Sequence, residues 1–200
     1  MIEGGSRKKL PPLKYGKGCR RSTMAKNNKR LTSVLNAMAR RDQDAIQRVR
    51  RTLVFDDRVQ RVNTERLKGI VEKYGWPTID LVGAKASRHA WLIIQHADHN
   101  VRFQKKCLAM MQEIYQYNPH NISRENIAFL TDRILVNTKR KQVFGTQFYV
   151  NKKKLFTYRP IKSFKDLDHR RKEYGIPPFR EYIEAMKSVG PLRIKGFRQK

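Results

Sequence analysis

The sequence has few acidic residues, little cysteine and no long apolar run. Its 200 residues contain 17 Asp and Glu against 45 Lys and Arg, which gives a formal net charge of +28. A charge of this size opposes compaction, so we expect the working protein to meet a polyanion. Nucleic acid is the commonest such partner, because its phosphates attract Lys and Arg and release counterions.

The scarcity of cysteine and of apolar runs excludes several protein classes. Cys19 and Cys107 are the two cysteines, and neither has the spacing of a zinc site, so we predict no metal and no disulfide framework. This usage favours a reducing, intracellular compartment. No apolar run approaches the roughly 18 residues of a membrane-spanning helix, so we predict no membrane insertion.

The excess charge lies at the two ends of the chain. Residues 1–41 have a net charge of +11, residues 42–138 of +4, and residues 139–200 of +13. The middle therefore has the charge balance of an ordinary globular domain. We predict one domain at residues 29–189, between a basic extended tail at residues 1–28 and a second one at residues 190–200.

Basic residues in the tails and in two internal runs are the candidate nucleic-acid contacts. Tyr15 lies among cations and could stack on an exposed base while its neighbours hold phosphates. The alternative is that these runs are solvated tails and a solvated hairpin tip. The candidates are Arg7, Lys8, Lys9, Lys14, Tyr15, Lys17, Arg20, Arg21, Lys26, Lys29, Arg30, Lys139, Arg140, Lys141, Lys152, Lys153, Lys154, Arg193, Lys195 and Arg198.

Apolar periodicity predicts a mainly α fold. Apolar residues recur at three- and four-residue steps through five segments, which indicates five helices before residue 138. Asn63-Thr64 is predicted to cap the second helix and Ser123 the fifth. Residues 142–161 are rich in Phe, Tyr, Val and Thr around a turn, which predicts a β-hairpin in the C-terminal third. Two short helices follow, near residues 164–174 and 178–189.

Standard catalytic and nucleic-acid-binding signatures are missing from the sequence. It has no P-loop, GxGxxG, HExxH or GxSxG string, and no RNP1, KH or zinc-finger pattern. The charge therefore indicates a class of partner without a recognition module, and the sequence does not separate RNA from DNA. We predict no cofactor.

Several short polar strings nevertheless follow one another in a specific order. They are Asp42-Gln43, Gly75-Trp76-Pro77, Gln95-His96-Ala97-Asp98, Asp132-Arg133, Gly145-Thr146-Gln147 and Arg170-Arg171. This order resembles a bacterial domain family known only as a domain of unknown function, over about residues 31–186. The resemblance implies a domain boundary and no established activity. The sequence departs from the family pattern in its basic tails and in the Lys-rich runs at 139–141 and 152–154.

The polar strings allow an enzymatic interpretation. If they converge, Gln95, His96, Thr146, Gln147 and Arg171 could line a pocket. His96 could act as a general base oriented by Asp98 or Asp132, while Arg133 or Arg171 holds an anion. His96, Asp98 and His99 could also bind a metal, but His96 and Asp98 do not share a helix face.

The alternative to a pocket is a structural network. In that interpretation Asp132 and Arg133 form a buried ion pair that ties the fifth helix to the hairpin. Gln95 and Gln147 then satisfy backbone groups at the ends of a helix and a strand.

The functional expectation is a structural RNA-binding protein of a large ribonucleoprotein, with rRNA and neighbouring proteins as partners. A mitochondrial ribosome suits a bacterial-type domain with added basic segments, so we expect a location in mitochondria or in a ribosomal particle. The alternatives are a hydrolase-like enzyme that acts on an anionic substrate, and a DNA-binding protein of a phage or mobile element.

Overall fold

A computed structural model describes residues 28–52, 54, 56–152 and 156–189 of the chain. The predicted basic tails lie outside the described residues except for Asn28, and so do Lys153 and Lys154. The contacts predicted for those segments therefore stay predictions. Among the described residues, no helix combines the length and the apolar character needed to cross a bilayer.

The described residues form a mainly helical fold with one β-hairpin, as predicted. The hairpin strands are shorter than predicted, although an isolated bridge joins Gln142 to Ile161 at the predicted base. The elements are α1 (Lys29–Thr52), α2 (Arg58–Tyr74), α3 (Ile79–Val82), α4 (Ala84–Gln95), α5 (Val101–Tyr117), α6 (Arg124–Asn137), β1 (Phe148–Val150), β2 (Phe156–Tyr158), α7 (Leu167–Glu173) and α8 (Phe179–Val189), with short 3₁₀ turns at Asp98–Asn100 and Pro119–Asn121.

Helix boundaries confirm one predicted cap and correct the other. The Ser123 side chain accepts a hydrogen bond from the Asn126 backbone N–H and begins α6, as predicted. The predicted cap at Asn63-Thr64 is wrong, because both residues are buried in the middle of α2. The Asn63 amide donates to the Met38 carbonyl oxygen at 3.1 Å, so this polar side chain joins α2 to α1 instead of ending a helix.

The main core lies where α1, α2, α4, α5 and α6 meet. Leu35, Leu67, Ile94, Met111 and Leu130 contribute one fully buried or nearly fully buried side chain from each helix. Burying apolar side chains of this size stabilises the fold by about 1.5–3 kcal/mol each. The core therefore fixes the relative positions of the helices that carry the polar strings.

Helices α1 and α4 pack side by side and run in the same direction. The Asn36 side chain contacts His89, and six residues further along α1 the Asp42 side chain contacts His96. Contacts thus advance together along both helices, which makes the pairing parallel. We call the line of contact between them the α1–α4 seam.

The hairpin packs on α6 and α8 through aromatic rings. Phe148 and Phe129 both contact Tyr182, with ring centroids 5.7 Å and 6.0 Å apart. Gly145, just before β1, has φ +71°, and a Cβ atom there would lie 2.7 Å from the Phe179 ring. Only glycine meets both conditions at this point, so the Gly145-Thr146-Gln147 string is held tightly against α8.

Candidate functional site

Asp132 organises the chain segment that leads into the hairpin. Its fully buried carboxylate accepts hydrogen bonds from the backbone N–H groups of Val143, Phe144 and Thr146 at 2.7–3.2 Å, and from the Thr146 hydroxyl at 3.0 Å. Burial raises the pKa of Asp132, and these four donors oppose the rise. Asp132 therefore ties α6 to the hairpin through backbone groups.

The predicted ion pair between Asp132 and Arg133 is wrong. Adjacent positions on a helix point about 100° apart, so the two side chains leave α6 in different directions. The Arg133 guanidinium makes a two-pronged contact with Asp98, with Nε–Oδ1 and Nη2–Oδ2 distances of 2.9 and 2.6 Å. Asp98 is 45% exposed and Arg133 29% exposed, so this ion pair lies at the surface.

The Asp98–Arg133 pair is linked to its surroundings by amide side chains. Asn137 donates to Asp98 Oδ1 at 2.7 Å, and Gln104 donates to the same oxygen at 3.3 Å. Burial works to raise the pKa of Asp98, but Arg133 and these two amides outweigh it and keep the pKa below its usual value. Arg133 Nη1 also lies 3.5 Å from Gln147 Oε1, which connects the pair to the hairpin.

Asp42 is the residue that orients His96. Its Oδ2 accepts a hydrogen bond from His96 Nδ1 at 2.7 Å, across the α1–α4 seam. The predicted orienting residues are wrong, because Asp98 contacts Arg133 and Asp132 contacts backbone N–H groups. Asp42 is 1% exposed whereas the His96 side chain is 21% exposed, so a buried carboxylate holds a histidine whose ring reaches the surface.

Several buried polar atoms near this pair lack a hydrogen-bond partner among the described residues. They are Asp42 Oδ1, Gln95 Oε1, Gln104 Oε1 and His99 Nε2. Burial, assisted by Arg61, lowers the pKa of His99. Buried acceptors of this kind usually bind water or another donor. The sequence predicted that the Gln95 side chain bonds backbone groups. Its side-chain oxygen accepts no hydrogen bond among the described residues.

Gln142 takes the structural role that the sequence assigned to Gln147. Its fully buried amide donates to the carbonyl oxygens of Gln147 and Arg159, at 3.2 and 2.7 Å, and accepts from the Gln147 N–H at 2.8 Å. The Gln147 side chain instead donates to the Thr146 hydroxyl and faces Arg133. Gln142 had no sequence signal beyond its place at the start of an aromatic segment.

Arg171 is a structural residue. It is fully buried, its Nε donates to the Pro177 carbonyl oxygen at 2.7 Å, and its Nη1 donates to the Phe144 carbonyl oxygen. Its guanidinium also packs over the Tyr182 ring, 4.9 Å from the centroid. Because no part of this side chain reaches solvent, Arg171 cannot hold an anion from outside.

The predicted pocket thus separates into two neighbouring groups. Asp132, Thr146, Gln147 and Arg171 belong to the network that fixes the hairpin, and Gln147 extends it to the surface pair Asp98–Arg133. Asp42 and His96 form the second group, 54 residues apart in the sequence. Within the described ranges, no three His, Cys, Asp or Glu side chains are arranged to hold a metal ion.

The described nucleic-acid candidates lie at the surface. Lys29 and Arg30 are exposed at the first turn of α1, and Lys139, Arg140 and Lys141 are exposed between α6 and the hairpin. Lys152 is exposed at the hairpin turn. The remaining candidates are Arg7, Lys8, Lys9, Lys14, Tyr15, Lys17, Arg20, Arg21, Lys26, Lys153, Lys154, Arg193, Lys195 and Arg198, all of them outside the described residues.

The structure adds a group of cations that sequence analysis missed. Arg40 on α1 and Lys85 and Arg88 on α4 are exposed, and all three act on the half-buried His89. Burial first, and then Lys85, Arg88 and Arg40, lower the pKa of His89. The group joins Arg40 to two cations that lie 45 and 48 positions further along the chain, and no single run of charge in the sequence reveals it.

Comparison with known proteins places the domain in a family. No curated protein and no solved structure matches the chain. Residues 32–195 match DUF6624, described as a family of unknown function. This match confirms the resemblance predicted from the polar strings and includes every residue of the two polar groups described above. The chain therefore belongs to the DUF6624 family of unknown function.

Proposed function

We propose that this protein binds RNA and serves as a structural component of a ribonucleoprotein particle. The observation that carries the proposal is a formal net charge of +28 that the fold leaves largely uncompensated. Among the described residues, five Lys or Arg side chains form salt bridges with acids, and most of the others point to solvent without one. A surface of this kind attracts a phosphate backbone, and binding releases the counterions that the phosphates had condensed.

The arrangement of charge favours RNA in an assembled particle. Both ends of the chain are far more basic than residues 42–138, and exposed cations are added by residues 139–141 before the hairpin and by Lys152 at its turn. Basic extensions around a compact domain suit contacts with several phosphate groups of a folded RNA, next to neighbouring proteins. The particle that we propose is a ribosome, and the mitochondrial ribosome is the version that fits a bacterial-type domain with basic additions.

Sedimentation of the native protein in salt gradients tests this proposal. The protein should migrate with a ribosomal particle, and sequencing of the bound material should return mainly rRNA. A structural component should stay on the particle when the salt is raised well above physiological strength. A protein that sediments alone at physiological salt and carries no RNA would contradict the proposal.

The Asp42–His96 pair favours a second candidate function, an enzyme that hydrolyses an anionic substrate. With the Nδ1 proton donated to Asp42, the lone pair of His96 is on Nε2, where it can accept a proton from an attacking water. Arg133 forms an ion pair with Asp98, and Asp98 is two positions along the chain from His96. The Arg133 guanidinium could therefore attract the anion. A buried carboxylate that orients a partly exposed imidazole is the arrangement of a general base.

Substitution of His96 tests the second candidate. Hydrolysis of bis(4-nitrophenyl) phosphate should fall at least about 100-fold in His96→Ala, the usual contribution of a general base. The matched control is His169→Ala, which removes an exposed histidine of α7 and should leave the rate unchanged. Equal activity in the wild type and His96→Ala would exclude His96 as the base, and RNA binding by both would leave the first proposal standing.

A further inference from the structure

The α1–α4 seam presents a row of cations on the surface of the domain. Arg40 follows Asn36 by one helical turn on α1, and Lys85 precedes His89 by one turn on α4. Asn36 and His89 are hydrogen-bonded at 2.8 Å. Along the two parallel helices, Lys85 therefore lies one turn before this contact and Arg40 lies one turn after it. Arg88, next to His89, extends the row on α4.

The three cations are placed along the seam, on either side of His89, and have no acidic partner among the described residues. Each contributes to the lowered pKa of His89 after burial, and no carboxylate acts on that ring. The described salt bridges include neither Arg40 nor Lys85 nor Arg88. Three like charges held by two rigid helices repel one another, and an anion that binds between them removes this repulsion.

The seam leads from this cationic group to the surface-exposed His96. His89 and His96 are seven residues apart on the same face of α4 and its C-terminal cap, which corresponds to about 10 Å along the helix axis. The three cations themselves extend from Lys85, one turn before the Asn36–His89 contact, to Arg40, one turn after it, about 12 Å along the seam. The spacing therefore suits a strand that lies along the seam.

We propose that the α1–α4 seam is a binding track for the phosphate backbone of RNA, with Arg40, Lys85 and Arg88 as its phosphate contacts. The inference rests on the proposed RNA binding and adds a location on the folded domain. In this arrangement the basic tails bring the RNA to the domain, and the seam fixes one strand of it. Rigid helices make the seam a more precise site than a tail, because little backbone freedom is lost on binding.

A pair of triple variants tests the track in the full chain. The first combines Arg40→Gln, Lys85→Gln and Arg88→Gln. The control combines Arg102→Gln, Lys105→Gln and Lys106→Gln, which removes three exposed cations of α5 and gives the same net charge. Binding of a fluorescein-labelled U20 oligonucleotide is followed by anisotropy from 0.05 to 0.3 M salt, and circular dichroism confirms that each variant is folded.

The seam variant should lose about two units of the slope of log K against log salt, since each single-strand phosphate contact contributes about 0.7. At 0.15 M salt this corresponds to an affinity loss on the order of 50-fold. The control should lose much less. Equal losses in both variants would mean that net charge alone governs binding, and would overturn the track while leaving RNA binding intact.

Two further outcomes separate the proposed track from the proposal that the protein binds RNA. A wild-type protein that does not bind U20 at 0.05 M salt would overturn RNA binding itself. A T20 DNA oligonucleotide that binds more tightly than U20, with the same loss in the seam variant, would overturn the assignment to RNA. If the triple variant is unfolded, Lys85→Gln and Arg88→Gln are measured singly, and a slope unchanged in both would overturn the track.

Discussion

Replacing Asp132 with Ala should weaken the attachment of the hairpin to the helical core. The carboxylate is fully buried and accepts three backbone N–H bonds and one hydroxyl bond from the segment 143–146. Alanine supplies no acceptor, and the segment is held in place by Gly145 against Phe179, so its N–H groups cannot readily turn to solvent. The matched control is Asp98→Ala, which removes a carboxylate with as many hydrogen bonds from an exposed position.

The magnitude follows from the number of donors left without a partner. Each buried N–H that loses its acceptor costs about 1–3 kcal/mol, so three of them cost about 3–9 kcal/mol. Water that enters the space of the lost carboxylate reduces this figure, and we expect a loss of at least about 3 kcal/mol. Asp98→Ala should cost about 0–1 kcal/mol, because Arg133 and Asn137 reach water and the buried Gln104 amide keeps its bond to the Ile94 carbonyl oxygen.

Urea unfolding at pH 7, followed by far-UV circular dichroism, measures both effects. We expect Asp132→Ala to unfold at a lower urea concentration than Asp98→Ala, or to show a separate first transition if the hairpin detaches alone. Amide exchange at Val143, Phe144 and Thr146 should accelerate in the same variant. A loss below about 1 kcal/mol, or one equal to that of Asp98→Ala, would refute the role given to the carboxylate.

Three further predictions concern single side chains. Arg171→Lys should lower the free energy of unfolding by about 2–3 kcal/mol in the same urea assay, because the two carbonyl oxygens are bonded by separate atoms of the guanidinium, Nε and Nη1, and a single ammonium nitrogen does not occupy both positions. Cys107, whose pKa burial raises to about 12, should resist iodoacetamide at pH 8 until urea is added, as measured by peptide mass spectrometry. Asp98 has a lowered pKa in the folded state, so its stabilising effect should be complete above about pH 4 and decline as the pH falls through the folded value. Urea unfolding at a series of pH values would show this decline, and a pH dependence of stability identical to that of Asp98→Asn would contradict it.

Helices α1, α2, α4 and α5 were predictable because apolar residues recur at three- and four-residue steps along each of them. The start of α2 was not predictable, because Asn63 and Thr64 are common capping residues. A single sequence does not show that the Asn63 side chain instead bonds α1. The four-residue helix α3 was missed because it is too short for periodicity. It begins at Thr78, whose hydroxyl accepts the Leu81 N–H at 3.3 Å.

The candidate site was predictable in its residue types and not in its pairings. His96, Asp98, Asp132 and Arg133 all have the polar partners that such residues need when they are buried or half-buried. The sequence favoured pairs close along the chain, whereas the fold pairs His96 with Asp42, 54 positions away. Pairings of this kind depend on how α1 and α4 pack, and a single sequence has no direct signal for that packing.

The parallel alignment of α1 and α4 also constrains the order of events during folding. Their side-chain contacts join residues 53 and 54 positions apart, so a long loop must close before these contacts form. Helices α5 and α6, in contrast, are neighbours in the chain and in space, and can pair early. During synthesis α1 emerges first, and the part of its apolar face that packs on α4 stays uncovered until α4 is made, although α2 can pack earlier. We expect the nascent chain to be most prone to aggregation in this interval.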